Sequence, residues 1–203
     1  GDGVGASGHK FSSGSHTEGR IVGKMMASFC MDHKDDTVEF IEDPEDLAKE
    51  IFMPMETWGK FSGYTTDPNI NPHYIRPAML QQRLQKIMDE YVGGVGTWYM
   101  TSKYMLEEGF YYLDLLKEDS YHMCAENLHE LLRAWENFHR ILAGEAHARH
   151  IHFREETRYP GYYYRGDHLA IDDENWKCFV NSTYDKESGE WDIFKREYHQ
   201  LVP

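Results

Sequence analysis

Apolar residues recur at helical spacing through most of the chain and turn to strand-like runs only near its end. Leu80, Leu84, Ile87, Met88 and Tyr91 lie on one stripe of a predicted helix, which Gly93 and Gly94 stop. A second helix is predicted from about Trp98 to Lys117. A third runs from about Ser120 to Ala143 and carries Leu128, Leu131, Leu132, Trp135, Phe138 and Leu142. Short connections between the three predict an antiparallel bundle, with a shorter helix from Glu145 to Arg154 behind it. Upstream, Asp43-Pro44-Glu45 opens a short helix through Leu47, Ala48, Ile51 and Phe52, with acidic residues in its first turn and Pro54 near its end. From Gly59 to Pro77 the chain reads as a loop containing Pro68 and Pro72. Trp176 to Tyr184 and Glu190 to Tyr198 are strand-like, and Asp185-Lys186-Glu187-Ser188-Gly189 between them has the composition of a hairpin turn. The predicted class is mainly α (α+β), with a C-terminal β-hairpin tail.

The first residues have a different character. Gly1, Gly3, Gly5, Gly8 and Gly14 permit close approach of the main chain, while Ser12, Ser13 and Ser15 offer hydroxyls. The expected arrangement is a loop that ends at Ser15, which caps a helix beginning near His16. The positive end of that helix dipole favours an electron-rich or anionic ligand. Gly19 and Gly23 make a flat stripe along it. Gly3-Val4-Gly5-Ala6-Ser7-Gly8 satisfies the GxGxxG spacing of dinucleotide-binding folds, but no strand precedes it and the predicted helix starts too late. That match is rejected.

With 203 residues and 40% hydrophobic content the chain can build one sizeable core. A net charge of −14 argues against nucleic acid and anionic membrane as partners. No apolar stretch is long enough for a membrane span. Cys30, Cys124 and Cys178 are far apart and form no CxxC pair, so an iron–sulfur cluster on this chain is not expected; a reducing cytoplasm is. His139, His147, His150 and His152 are irregularly spaced for metal binding and read as surface or interhelix residues. Met25, Met26 and Met31 read as core packing, and Asp172-Asp173-Glu174 as a cap for the segment that follows.

Two motifs at opposite ends resemble the fumarate reductase and succinate dehydrogenase flavoprotein superfamily, and within it most closely the α subunits of the dissimilatory adenylylsulfate reductases. One is Gly1-Asp2-Gly3 with His9-Lys10-Phe11-Ser12-Ser13-Gly14-Ser15. The other is Glu156-Thr157-Arg158-Tyr159-Pro160-Gly161 through Arg165-Gly166-Asp167 to Asp172-Asp173-Glu174-Asn175-Trp176. The tyrosines from Tyr159 to Tyr164 read as packing of the tail against the flavin domain. The dicarboxylate enzymes carry an arginine in the first motif that is missing here, and lysine does not replace its bidentate fork. Phe11 adds an aromatic face that suits an adenine ring.

The resemblance implies FAD as cofactor and reduction of adenylylsulfate to AMP and sulfite, or the reverse in sulfur oxidisers. Electrons would come from a separate β subunit with iron–sulfur clusters. It assigns Asp2 to the hydroxyls of FAD and Ser12, Ser13, Gly14 and Ser15 to the flavin's pyrimidine edge. Phe11, Lys10 and His9 would face substrate, and no residue of this chain would be catalytic. It also divides the chain into the end of an FAD-binding domain (1–31), a linker with a short helix (32–76), a helical bundle (77–157) and a tyrosine-rich segment with the hairpin (158–203). The initial glycine and the lack of a strand-led fingerprint lead to the expectation of a C-terminal fragment, inactive alone. Two other readings stay open: a fumarate reductase or succinate dehydrogenase relative, and a noncatalytic helical interaction module.

Overall fold

The computed structural model describes residues 11–37, 39, 42–158 and 162–199. The chain separates into two compact units, Gly1–Asp46 and Leu47–Pro203. The first contains helix α1 (Phe11–Asp32). Its apolar residues Ile21, Val22, Met25, Met26, Phe29 and Met31 are exposed. The methionines therefore do not form the core predicted for them, because no other described element of their unit covers this face.

Helix α2 (Pro44–Phe61) crosses the boundary between the units. It runs well past the expected end at Pro54, which lies buried inside it. Proline lacks the amide that a helix interior uses. Around it the helix is tied to distant residues: Trp135 Nε1 donates to the Ile51 carbonyl at 2.9 Å and the Ala125 amide to that of Pro54 at 2.8 Å. A 3₁₀ turn, Ser62–Tyr64, and an irregular stretch then lead to α3 (Pro77–Tyr91), the helix predicted from the Leu80 stripe.

Helices α3, α4 (Lys103–Ser120) and α5 (Leu128–Phe153) pack against one another around Leu80, Leu84, Leu106, Leu113, Ile141 and Ile151. Their relative directions follow from side-chain contacts. Tyr91 lies against Gly109 while Arg83 pairs with Asp119, so α3 and α4 run antiparallel. Lys117 pairs with Glu145 and Glu107 with His152, so α4 and α5 do as well. Gly109 permits the close α3–α4 approach, since a Cβ there would stand 2.9 Å from that of Tyr91.

Two helix starts differ from expectation. Residues 93–101 form a tight turn instead of the first turns of α4. The Gly94 amide bonds the Asp89 carbonyl at 3.1 Å, the Gly96 amide bonds Asp89 Oδ1 at 3.0 Å, and Trp98 and Tyr99 adopt φ of 56° and 61°. Strand β1 (Met100–Thr101) follows, and Ser102 caps α4 through the Met105 amide. Helix α5 begins eight residues later than predicted because the preceding stretch is extended: Met123 bridges Ile75 and the Cys124 amide bonds the Ile75 carbonyl at 3.1 Å. Asn127 then caps the helix, which continues without a break through the predicted separate helix. Its buried face is Leu131, Ala134, Asn137, Ile141, Glu145, Ala148 and Ile151, while Leu128 and Leu132 are exposed.

The tail returns to the bundle through β2 (Tyr164–Arg165), parallel to β1. One turn of helix, α6 (Asp173–Trp176), precedes the predicted antiparallel hairpin of β3 (Cys178–Tyr184) and β4 (Trp191–Glu197).

Candidate functional site

The ligand-binding expectation rests on the start of α1. Asp2, His9 and Lys10 lie outside the described residues. Phe11, Ser12, Ser13, Gly14 and Ser15 are all helical, so the helix begins five residues before the expected position and Ser15 is not its cap. The reason is local: Phe11-Ser12-Ser13 contains no residue that bars helical geometry, and one glycine costs only about 1 kcal/mol. In a helix that starts at Phe11, the first-turn amides from Phe11 onward have no acceptor within the helix. No acidic residue lies in that turn to offset the positive end of the dipole.

The second motif forms a buried ionic knot at the C-terminal end of α5. Arg165, only 1% exposed, donates Nε and Nη2 to the two oxygens of Asp167 at 3.0 and 2.9 Å. Its Nη1 bonds the carbonyls of Ile151, His152 and Arg154, which the end of α5 leaves without helical partners. Glu156, fully buried, accepts from Arg154, from Arg158 and from the Asp172 amide. Burial pushes its carboxyl up, but the bonds from Arg158, the Asp172 amide and Arg154 outweigh this and hold it below the usual range. Thr157 Oγ1 accepts the Arg165 amide at 3.0 Å and donates to the His168 carbonyl at 2.8 Å. Asp172 caps α6 through the Asn175 amide, as its sequence position predicted. Trp176 is packed edge-on against Phe153, with Lys195 Nζ 3.5 Å from its ring centroid.

These carboxylates are all engaged by donors, which suits them to holding structure and not to giving up protons. The motif marks a family in sequence; in space it closes a helix and ties the tail to it. The histidines are equally local. His139 lies beside the Trp135 ring, His150 meets Ser182 and His152 meets Glu107. Burial pushes the Cys124 thiol up to about 11, which makes it unreactive. Of the tail tyrosines, Tyr162 is exposed and Tyr163 packs against the bundle core.

Known proteins show the same fold. The E. coli quinol fumarate reductase chain FrdA matches 65% of this chain with a TM-score of 0.55 at 17% identity, and covers the match with 23% of its own length. The Mycobacterium smegmatis Sdh1 complex matches 85% of it, and 27% of its own chain, with a TM-score of 0.55 at 19% identity. The described elements thus share their fold with segments of these two chains. No protein-family model matches the chain. Adenylylsulfate reductase subunit alpha of Megalodesulfovibrio gigas is 55% identical over 202 residues, all of this chain and 30% of that protein. The structure of adenylylsulfate reductase from Archaeoglobus fulgidus superposes on 96% of this chain and 30% of its own, with a TM-score of 0.90 at 47% identity. An adenosine-5-phosphosulfate reductase in complex with sulfite, as a covalent adduct, matches equally well. The chain belongs to the adenylylsulfate reductase α-subunit family and spans about a third of the length of these relatives.

Proposed function

We propose that this chain is part of an FAD-dependent adenylylsulfate reductase α subunit, which reduces adenylylsulfate to AMP and sulfite with electrons from an iron–sulfur β subunit in the cytoplasm. The observation that carries this reading is 55% identity over the whole chain to such a subunit. The start of α1 supports FAD as the cofactor: its first-turn amides and dipole, with no carboxylate in that turn, fit the electron-rich pyrimidine edge of a flavin. Bound there, FAD supplies the two-electron chemistry. The amides of Phe11, Ser12 and Ser13 hold that edge and favour negative charge on it. Gly14 and Ser15 keep the helix end in register beneath them, and Asp2 accepts hydrogen bonds from FAD hydroxyls. Phe11 packs at the flavin–substrate face, where Lys10 and His9 meet the anionic part of the substrate. Residues 1–31 then complete the FAD-binding domain.

The test uses the full-length subunit co-expressed with its iron–sulfur partner. AMP release from adenylylsulfate, together with sulfite-induced bleaching of the flavin band, is expected. Ser13→Pro removes one first-turn amide at a place where helices tolerate proline, and should lower FAD content. Turnover of fumarate with none of adenylylsulfate would refute the assignment.

A further inference from the structure

Residues at the C-terminal part of α5 and its cap reach the hairpin. His147, His150 and Arg154 follow one another at helical spacing. His150 Nε2 lies 2.9 Å from Ser182 Oγ on β3, and Arg154 Nη2 donates to the Cys178 carbonyl at 2.8 Å. On the other strand, Lys195 Nζ donates to the Asn175 carbonyl at 3.0 Å. We propose that the β3–β4 hairpin is a proton-released latch, docked on α5 while His150 is neutral and freed when His150 is protonated.

The charges around His150 explain why a proton there has no compensation. From its own helix it faces His147, and from the cap that follows the helix Arg154, both cationic or able to become so. Arg154 is already committed to Glu156 and to the Trp176 and Cys178 carbonyls. From β3 it faces Ser182 and, further along the same face, Val180 and Cys178. Across the ladder, the residues paired with these three are Ile193, Lys195 and Glu197. Lys195 adds positive charge. Glu197, the one carboxylate among them, is 81% exposed and lies beside His199 at 3.6 Å. Burial, with His147 and Arg154 adding to it, holds the His150 ring below its ordinary value. A lowered histidine pKa in the docked state means that docking is full above about pH 6.5 and weakens as pH falls through and below it.

Hydrogen exchange of the whole chain at about pH 7.5 and about pH 5.5, corrected for the intrinsic pH dependence of exchange, tests the latch. The β3 and β4 amides should lose protection severalfold at the lower pH while those of α3 and α4 keep theirs. His150→Gln stays uncharged and keeps a polar group for Ser182; its hairpin should remain protected at both pH values. Ser182→Ala removes the bond without changing charge and should weaken protection while leaving the pH response in place. Equal protection of the wild-type hairpin at both pH values would overturn the proposal. So would loss that extends to α3 and α4, or a His150→Gln response as large as that of wild type.

Discussion

Arg165→Met is the sharpest test of the ionic knot. The substitution keeps most of the aliphatic stem and removes every donor. The carbonyls of Ile151, His152 and Arg154 and the Asp167 carboxylate then lose their shared partner in a place where Arg165 itself is 1% exposed. Breaking a buried ion pair from one side costs about 3–5 kcal/mol. Asp167 is 29% exposed, so water recovers part of its solvation and the low end, about 3 kcal/mol, applies. For a domain of this size that corresponds to a fall in Tm of about 6–12 °C. Arg165→Lys keeps a charge but cannot reach both carbonyls and carboxylate with a planar fork, and should lose about half as much. Urea unfolding followed by tryptophan fluorescence and far-ultraviolet circular dichroism reads the difference, with an unchanged m value expected. Arg165→Met combined with Asp167→Asn should cost less than the sum of the single changes, because the stranded charge has gone. A loss below about 1 kcal/mol in Arg165→Met would show that the knot is ornamental and that packing alone holds the end of α5.

Hydrogen bonds from Arg165, helped by the Lys103 amide and opposed by burial, hold the Asp167 carboxyl well below the usual carboxylate range. Its stabilising effect is therefore full above about pH 4 and lost as pH falls further, so Asp167→Asn should flatten the acid limb of a stability-against-pH curve. Glu145, 1% exposed, pairs with Lys117 across α4–α5 and with Arg149 on its own helix. Lys117→Met should cost about 2 kcal/mol in urea unfolding, and adding Glu145→Leu should restore most of it. Gly94→Ala would drive a Cβ into the Asp89 backbone and carboxylate, and should destabilise by about 2 kcal/mol with lost exchange protection in residues 93–101. Asn127→Ala removes the side-chain cap that bonds the His129 and Glu130 amides, and should cost about 1 kcal/mol by the same measurement.

What could be read from sequence divides according to the range of the forces involved. Helix α3 was legible because its stripe and its Gly93-Gly94 stop are local, and the hairpin because its turn composition lies between two strand-like runs. The start of α5 was not. Leu128 and Leu132 look like stripe residues, yet the extended segment that bonds Ile75 sets where the helix begins, and that bond spans about fifty residues of sequence. Pro54 misled for the same reason, since it lies buried in a stretch held by bonds from Trp135 and Ala125, both far away in sequence. The candidate ligand site shows the opposite failure. Ser15 was assigned a cap from local chemistry, whereas Phe11-Ser12-Ser13 extends the helix and moves its start forward. In the tail, the residues that identified the family were correct as a signature and silent about role. Arginine and glutamate are ordinarily exposed, and only their burial turns Arg165 and Glu156 into the cap and the counter-charge at the end of a long helix. A charged motif with no donor–acceptor spacing for catalysis is therefore better read first as the closure of a helix, and as a site only when one of its polar atoms is left facing a ligand.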